Sequence, residues 1–200
     1  MMKEYKDFEI EEMASALKDG AVLAFPTDTV YGVGSVYGDL DALKRLKSIK
    51  RRPEEKPIPM MCASLDQVKD IVVLNDMAKA LAGAFLPGAM TLIVKITDNV
   101  DRAFTNGKDT IALRIPDAPV LLKIIEATGR PLMVSSANLS GEPAALSKEQ
   151  AMDMLPALDG ILDGVCREGI ASTIVDCTGE KAVILRQGPI SAEEIEAVLA

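Results

Sequence analysis

The sequence predicts a single α/β domain built on a mixed, open sheet with flanking helices. Segments with helical spacing alternate with short apolar runs in the earlier part of the chain, and strand-like runs cluster later. A chain of 200 residues has the length of one domain and can bury roughly 70% of its unfolded surface. Because no internal repeat, low-complexity tract or linker is visible, we expect one domain over residues 1–200.

Helices are predicted where apolar residues recur every three or four positions behind a capping residue. Asp39 and Asp117 are expected to cap two of them, because an aspartate side chain accepts bonds from the free N–H groups of the first turn. Gly20 is expected to end the helix 7–18, and Gly129 is expected to end the helix that Asp117 begins, as glycine commonly does. The predicted helices cover 7–18, 39–50, 64–71, 75–86, 117–128, 147–155 and a last segment capped by Ser191.

Strands are predicted where short apolar runs are bounded by proline, glycine or polar residues. Pro26 ends the first run, because proline cannot donate a ladder hydrogen bond, so the polar residues of the stretch 25–34, FPTDTVYGVG, are expected in a loop. Segments 98–108 and 139–146 are predicted to be further loops. The predicted strands cover 21–25, 58–62, 91–96, 110–115, 131–134, 160–163, 173–177 and 182–186.

Composition argues against a surface that binds nucleic acid everywhere. The formal net charge is −8, and the chain has four Phe, three Tyr and no Trp, so stacking platforms for bases are scarce. Basic charge is nevertheless concentrated at one helix end, where the helix dipole also favours cations. The cluster comprises Lys44, Arg45, Lys47, Lys50, Arg51, Arg52 and Lys56.

Cysteine and histidine usage limits the chemistry. Cys62, Cys166 and Cys177 are widely spaced and form no paired motif, which indicates a reduced chain with buried thiols. The complete absence of histidine excludes an imidazole base and imidazole metal ligands. The N-terminus is charged and no apolar run approaches about 18 residues, so we expect a cytoplasmic protein.

Phosphate binding, if present, must depend on side chains. The chain lacks a Walker loop, and Gly32-x-Gly34 is not a dinucleotide fingerprint because Tyr37 replaces its third glycine. Ammonium and guanidinium donors in a proline-rich turn suit phosphate oxygens. The candidates there are Lys50, Arg52 and Lys56.

Polar residues at other strand ends suggest a shared cleft. Ser135-Ser136-Ala137-Asn138 follows an apolar run and either hydrogen-bonds a ligand or caps its own loop; no histidine is present to activate a serine. Arg114 lies inside an apolar strand and is costly to bury unpaired, so it meets either a carboxylate ligand or an acid of the chain. Ser172-Thr173 and Arg186 add two more clusters.

These motifs together resemble YrdC-like threonylcarbamoyl-AMP synthases over nearly the whole chain. Two positions depart from the family pattern: Ala89 replaces a common proline, and Met61 stands where some relatives place a histidine near threonine. The motifs are PTDTVYG from Pro26, Lys50-x-Arg52 with Pro53 and Lys56-Pro57, the PGxxT of 87–91, Arg114-x-Pro116, Ser136-x-Asn138, Ser172-Thr173 and Arg186-x-Gly188.

The resemblance implies a twisted mixed sheet with a large concave cleft, in the form that lacks the extra C-terminal domain of longer relatives. It implies a reaction of L-threonine, bicarbonate and ATP that yields threonylcarbamoyl-AMP and pyrophosphate, with magnesium carried on the phosphates. Downstream threonylcarbamoyl transferase machinery would use the product to modify tRNA. Threonine would be held by Thr29, Arg114, Ser136 and Ser172. ATP would be held by Lys50, Arg52, Lys56, Thr110, Asn138 and Arg186, with Lys50 and Arg52 stabilising the charge of the reaction.

Two other interpretations remain open from the sequence. The YciO branch shares the fold and the opening motif, but departs from the Lys-x-Arg and Ser-x-Asn motifs present here. A double-stranded RNA or tRNA binding module is the second, because a concave cleft with a basic cluster could follow a phosphate backbone. The acidic total charge argues against the second interpretation.

Overall fold

The computed structural model describes residues 2–200, in which one mixed sheet is flanked by helices, so the predicted α/β class is confirmed. The strands are β1 (Lys3–Tyr5), β2 (Leu23–Phe25), β3 (Gly32–Val36), β4 (Met60–Met61), β5 (Val72–Val73), β6 (Met90–Ile96), β7 (Thr110–Arg114), β8 (Leu132–Ser136), β9 (Gly160–Leu162), β10 (Thr173–Asp176) and β11 (Val183–Arg186). The helices are α1 (Ile10–Lys18), α2 (Leu40–Ile49), α3 (Asp76–Phe85), α4 (Pro119–Thr128), α5 (Lys148–Met154) and α6 (Ala192–Leu199). Over residues 2–200, no helix combines the length and apolar character needed to cross a membrane.

The strands follow the order β1-β9-β2-β3-β8-β4-β7-β6-β10-β11. Strand β5 pairs with the C-terminal end of β6, at Lys95 and Ile96. Pairing is parallel in β1–β9, β2–β9, β4–β7 and β6–β10 and antiparallel in the other pairs. Successive residues of a strand face opposite sides, so the register fixes which side chains share a face. One face of the central strands carries Ser136, Leu132, Met61, Arg114, Ala112, Ile93, Thr91, Ile174 and Arg186.

The two faces of the sheet are covered differently. The opposite face packs against apolar side chains of α2, α3, α5 and α6 in one large core. On the face that carries Arg114, α1 and α4 cover the strands from β1 to β4 in the sheet order, with Met13, Leu17, Leu121 and Ile125 in the core. Beyond β4, side chains such as Ala112 are partly exposed. This uncovered part of the sheet leaves room for a ligand.

Local capping explains several helix starts. Asp39 accepts hydrogen bonds from the N–H groups of Asp41 and Ala42, as predicted. Ser191 forms a capping box with Glu194, which confirms the predicted start of the last helix. The predicted capping by Asp117 is wrong: α4 begins at Pro119, and proline at the first helical position has no N–H group that would need an acceptor.

Other boundaries also differ from the prediction. Residues 32–36 form β3 although the sequence placed Gly32 and Gly34 in a loop, and β1 and β5 were not predicted. Ser135 and Ser136 belong to β8 instead of following it. Helix α1 begins at Ile10, so Phe8 lies outside it and its exposed fraction is 79%. Cys62 and Cys177 are buried as expected, whereas Cys166 is only partly buried.

The remaining predicted helices and loops agree with smaller changes. The segment 64–71 contains only a 3₁₀ turn, Asp66–Val68, instead of a longer helix. The loop predicted over 98–108 contains a second 3₁₀ turn, Arg102–Thr105. The loop 139–146 has no helix or strand, as predicted.

Candidate active site

A cavity of about 270 Å³ opens on the partly uncovered face of the sheet. We call this cavity the cleft. It collects polar groups from the loop after β2 and from β6, β7, β8, β10 and β11, so the predicted convergence of distant polar clusters is confirmed. The candidate site residues that line the cleft are Thr29, Arg52, Arg114, Ser136, Asn138, Ser172 and Arg186. Their contacts with ligands stay predictions.

The loop between β2 and β3 is held by its own side chains. Thr27 Oγ1 accepts hydrogen bonds from the N–H groups of Thr29 and Val30 and donates one to the Val30 carbonyl, at 2.7 Å. The buried Tyr31 phenol donates to the Gly164 carbonyl at 2.9 Å, and burial raises its pKa. These bonds fix the backbone on both sides of Thr29.

Arg114 is buried at the end of β7 and meets an acid of the chain. Its Nη2 lies 2.5 Å from Asp28 Oδ1, and the two side chains are 6% and 5% exposed. Its Nη1 donates to Thr29 Oγ1 at 2.8 Å, and its Nε donates to the Gly88 carbonyl at 3.0 Å. Burial lowers the pKa of Arg114, and the negative charge of Asp28 opposes that shift. Of the two partners predicted for Arg114, the internal acid is therefore present.

A second guanidinium group lies near Arg114. Arg186 donates from Nε and Nη2 to the Ser172 carbonyl, at 3.0 and 2.7 Å. The Ser172 hydroxyl is 2.8 Å from the hydroxyl of Thr91. Burial lowers the pKa of Arg186, and its charge lowers the pKa of Arg114 as well. Two neighbouring cations in a partly desolvated cavity favour an anionic ligand.

Lys50 does not line the cleft but hydrogen-bonds to the backbone of two residues that do. Its side chain is 1% exposed, and its ammonium donates to the Ser136 carbonyl and, at 2.7 Å, to the Asn138 carbonyl. Burial and the charge of Arg52 lower the pKa of Lys50 to about 7. Arg52 itself lines the cleft and donates to the Pro57 carbonyl at 2.7 Å. The role of Lys50 as a phosphate ligand stays a prediction, since phosphate would have to replace backbone acceptors.

Thr110 and Lys56 also lie outside the lining of the cleft. Thr110 shares the face of Arg114 but is four residues away on β7, about 13 Å along the strand. Because β8 runs antiparallel to β4 and β4 runs parallel to β7, Thr110 is level with Ser136. Lys56 is exposed in the turn after α2. The open face therefore continues from the cleft towards Thr110.

Several residues at the site were not assigned from the sequence. Asp28 was noted only as part of the opening motif, and Thr91 only as the end of the PGxxT motif. Met61, 7% exposed, faces the cleft beside Arg114, its partner in the register. An internal acid was expected as one possible partner of Arg114, but only the fold shows which acid it is.

The fold and the cleft together define an α/β protein with a cavity whose charge suits an anion, because the guanidinium groups of Arg52, Arg114 and Arg186 line it. Residues 15–188 match the family model Sua5_yciO_yrdC, which is described as "Telomere recombination". The chain belongs to this family.

Individual relatives agree with this membership. The chain is 38% identical to the threonylcarbamoyl-AMP synthase of Bacillus subtilis strain 168 over 197 aligned residues. This alignment covers 96% of this chain and 57% of that relative. The crystal structure of Pyrococcus abyssi Sua5 complexed with L-threonine matches with a TM-score of 0.93 and 34% identity, over 100% of this chain and 61% of that one. Escherichia coli YciO matches with a TM-score of 0.88 and 25% identity, over 98% of this chain and 100% of that one. The chain thus spans less than two thirds of the first two relatives.

Proposed function

We propose that this protein is a threonylcarbamoyl-AMP synthase that joins L-threonine, bicarbonate and ATP and releases pyrophosphate. The observation that carries the proposal is the placement of three guanidinium groups in one cleft, because the reaction brings together two anionic substrates. Family membership and the names of the relatives support it. The product would pass to a threonylcarbamoyl transferase that modifies tRNA.

The cleft offers two ends for the two substrates. At one end Arg114, with Thr29 and Ser172 nearby, would bind the threonine carboxylate. At the other end Arg52 and Asn138 would contact the phosphates, and the open face towards Thr110 would receive the rest of ATP. This arrangement would place the threonine amine between the carboxylate end and the α-phosphate.

The chemistry needs positioning and charge stabilisation and no covalent enzyme intermediate. Bicarbonate first loses hydroxide to give carbon dioxide, to which the threonine amine adds; the proton lost from the amine combines with the hydroxide to give water, and a carbamate results. A carbamate oxygen then attacks the α-phosphorus of ATP, and the bond to the β-phosphate oxygen breaks to release pyrophosphate. Arg52 and the magnesium ion carried on ATP would balance the charge that develops on the phosphates.

The direct test is pyrophosphate release from ATP in the presence of threonine, bicarbonate and magnesium. We expect release that requires threonine and that is retained by Asp159→Asn, which removes a surface ion pair with Arg45 away from the cleft. Pyrophosphate release that does not depend on threonine would contradict the proposal. Nucleotide binding without threonine-dependent release would favour a YciO-like activity.

A further inference from the structure

Asp28 is a buried acid of the opening motif that the proposed reaction does not use directly. We propose that Asp28 is a positioning residue for the amino-acid substrate: it holds the Arg114 guanidinium from behind so that the free N–H groups face the cleft. This inference rests on the proposed function, because it takes the threonine carboxylate as the ligand of Arg114.

The hydrogen bonds of Arg114 leave part of the guanidinium free. The group has five N–H donors. Among residues 2–200, three of them meet Asp28 Oδ1, Thr29 Oγ1 and the Gly88 carbonyl. One N–H on each terminal nitrogen therefore has no partner in the described chain. Because Arg114 lines the cleft, a carboxylate there can accept from these donors.

Asp28 is absent from the lining of the cleft, whereas its partner Arg114 belongs to that lining. Asp28 lines a second cavity of about 400 Å³, next to Pro119 at the start of α4. Thr27 lines both cavities, so the segment 27–28 forms the wall between them. Asp28 therefore reaches the cleft through Arg114 and does not contact a ligand bound in it.

The backbone of Asp28 is itself fixed by a second loop. The Glu168 N–H donates to the Asp28 carbonyl and the Gly169 N–H donates to the Thr29 carbonyl, both at 2.9 Å. The carboxylate of Asp28 thus approaches Arg114 from a rigid position. Each of the three guanidinium nitrogens donates to an acceptor, and these bonds fix the orientation of the guanidinium plane. A fixed plane is needed if the two free N–H groups are to bind one carboxylate in one orientation.

A purely electrostatic role of Asp28 and a positioning role predict opposite changes in threonine affinity when Asp28 is replaced. If Asp28 acted only through its charge, its removal would strengthen threonine binding, because a buried negative charge beside the carboxylate site would be gone. If it positions Arg114, its removal must weaken threonine binding despite that gain. The sign of the change therefore distinguishes the two roles.

The test measures threonine affinity, ATP affinity and thermal midpoint for Asp28→Asn and Asp28→Ala. We expect threonine affinity to fall about tenfold or more in Asp28→Ala and by a smaller factor in Asp28→Asn, whose amide oxygen can still accept from Nη2. ATP affinity should stay within about twofold in both variants, since Arg52 is untouched. Should Asp28→Ala fail to fold, Asp28→Asn alone decides through its threonine affinity.

A double-mutant cycle provides the readout that a merely structural role would not change. In an Arg114→Lys background, Asp28→Asn should alter threonine affinity by less than about twofold, because the fork it positions is gone. Asp159→Asn, which removes the pair with Arg45, is the matched control and should leave both affinities unchanged. Unchanged or tighter threonine binding in Asp28→Asn would overturn the inference alone. A wild-type protein that does not bind threonine would overturn the proposed function and this inference together.

Discussion

Two cations, Lys50 and Arg114, are buried near the cleft and are stabilised by different partners. Arg114 has a carboxylate oxygen at 2.5 Å and keeps N–H donors free. The Lys50 ammonium instead donates to the carbonyl oxygens of Ser136 and Asn138. A buried ammonium without an acid loses hydration that neutral carbonyls only partly replace, so its pKa falls. A guanidinium keeps its charge in such a place. Arg114 is therefore better suited than Lys50 to hold an anion permanently.

Replacement of Lys50 by methionine should change the pH dependence of stability. Folded Lys50 has a pKa of about 7, below the ordinary value of 10.5, so above pH 7 the unfolded state binds more protons than the folded state. Stability should then rise with pH, and wild type should gain up to about 1.4 kcal/mol per pH unit over Lys50→Met between pH 7 and 9. Urea unfolding across this range measures it. Lys44→Met, an exposed change on α2, the helix that Lys50 follows, should behave like wild type, and a pH-independent difference for Lys50→Met would contradict the prediction.

Substitution of Arg114 should affect both ligand binding and stability, because its partner is an internal acid. Arg114→Ala leaves Asp28 buried without a cation, which costs about 3–5 kcal/mol and lowers the melting temperature. Arg114→Lys keeps a charge beside Asp28 and should melt closer to wild type. It should still lose about tenfold or more in threonine affinity, since an ammonium cannot reproduce the fork. Normal threonine binding by a folded Arg114→Lys variant would show that the forked geometry of the guanidinium is not needed to bind threonine.

At the scale of elements, most helices and most strands were predictable, whereas β1, β3 and β5 were missed. Helices α2, α3 and α6 have a capping side chain, and the predicted bounds of α2 and α3 and the predicted start of α6 lie within about two residues of the structure. Strand β3 was missed because its glycines are typical loop signals. In the sheet they are needed for close packing: a Cβ on Gly34 would lie 2.8 Å from the Met133 carbonyl oxygen.

A pair of glycine substitutions tests this explanation of β3. Gly34→Ala should destabilise the protein by about 1–3 kcal/mol, because its methyl group would meet the backbone of β8 and the side chain of Val134. Gly83→Ala in α3 should stabilise it by about 0.5–1 kcal/mol, since apart from its chain neighbours and the backbone of its own helix no atom of the described chain lies within 4 Å of its Cβ position. Denaturant unfolding of both variants gives the comparison. Equal effects of the two alanines would show that the glycines of β3 are not required by packing.

At the scale of the whole molecule, the sequence predicted which polar residues meet but not how they are oriented. Motifs at element ends identified seven residues that line the cleft, because the ends of paired elements come together in an open sheet. The pairing of Arg114 with Asp28 depends on the path of a loop over the sheet. The turning of Lys50 towards backbone carbonyls likewise depends on tertiary packing. Neither has a signal in local periodicity or residue spacing.

The distribution of charge over the molecule separates a nucleotide site from an RNA surface. The net charge is −8, while the guanidinium groups of Arg52, Arg114 and Arg186 lie together in a cavity of about 270 Å³. A duplex cannot place many phosphates in so small a cavity, and the negative net charge of the molecule opposes phosphate contacts outside it.

We therefore expect ATP affinity to fall only a few-fold between 50 and 200 mM salt, because few phosphates are contacted, and double-stranded RNA to bind weakly or not at all under both conditions. A surface that makes six or more phosphate contacts would instead lose roughly 1,000-fold or more in affinity over the same range. Titration of both ligands at each salt concentration, with wild type and Arg52→Ala, makes the comparison. Arg52→Ala should weaken ATP binding and should leave RNA binding unaltered. Tight RNA binding that falls steeply with salt, without measurable ATP binding, would contradict a nucleotide site and would indicate an RNA-binding surface instead.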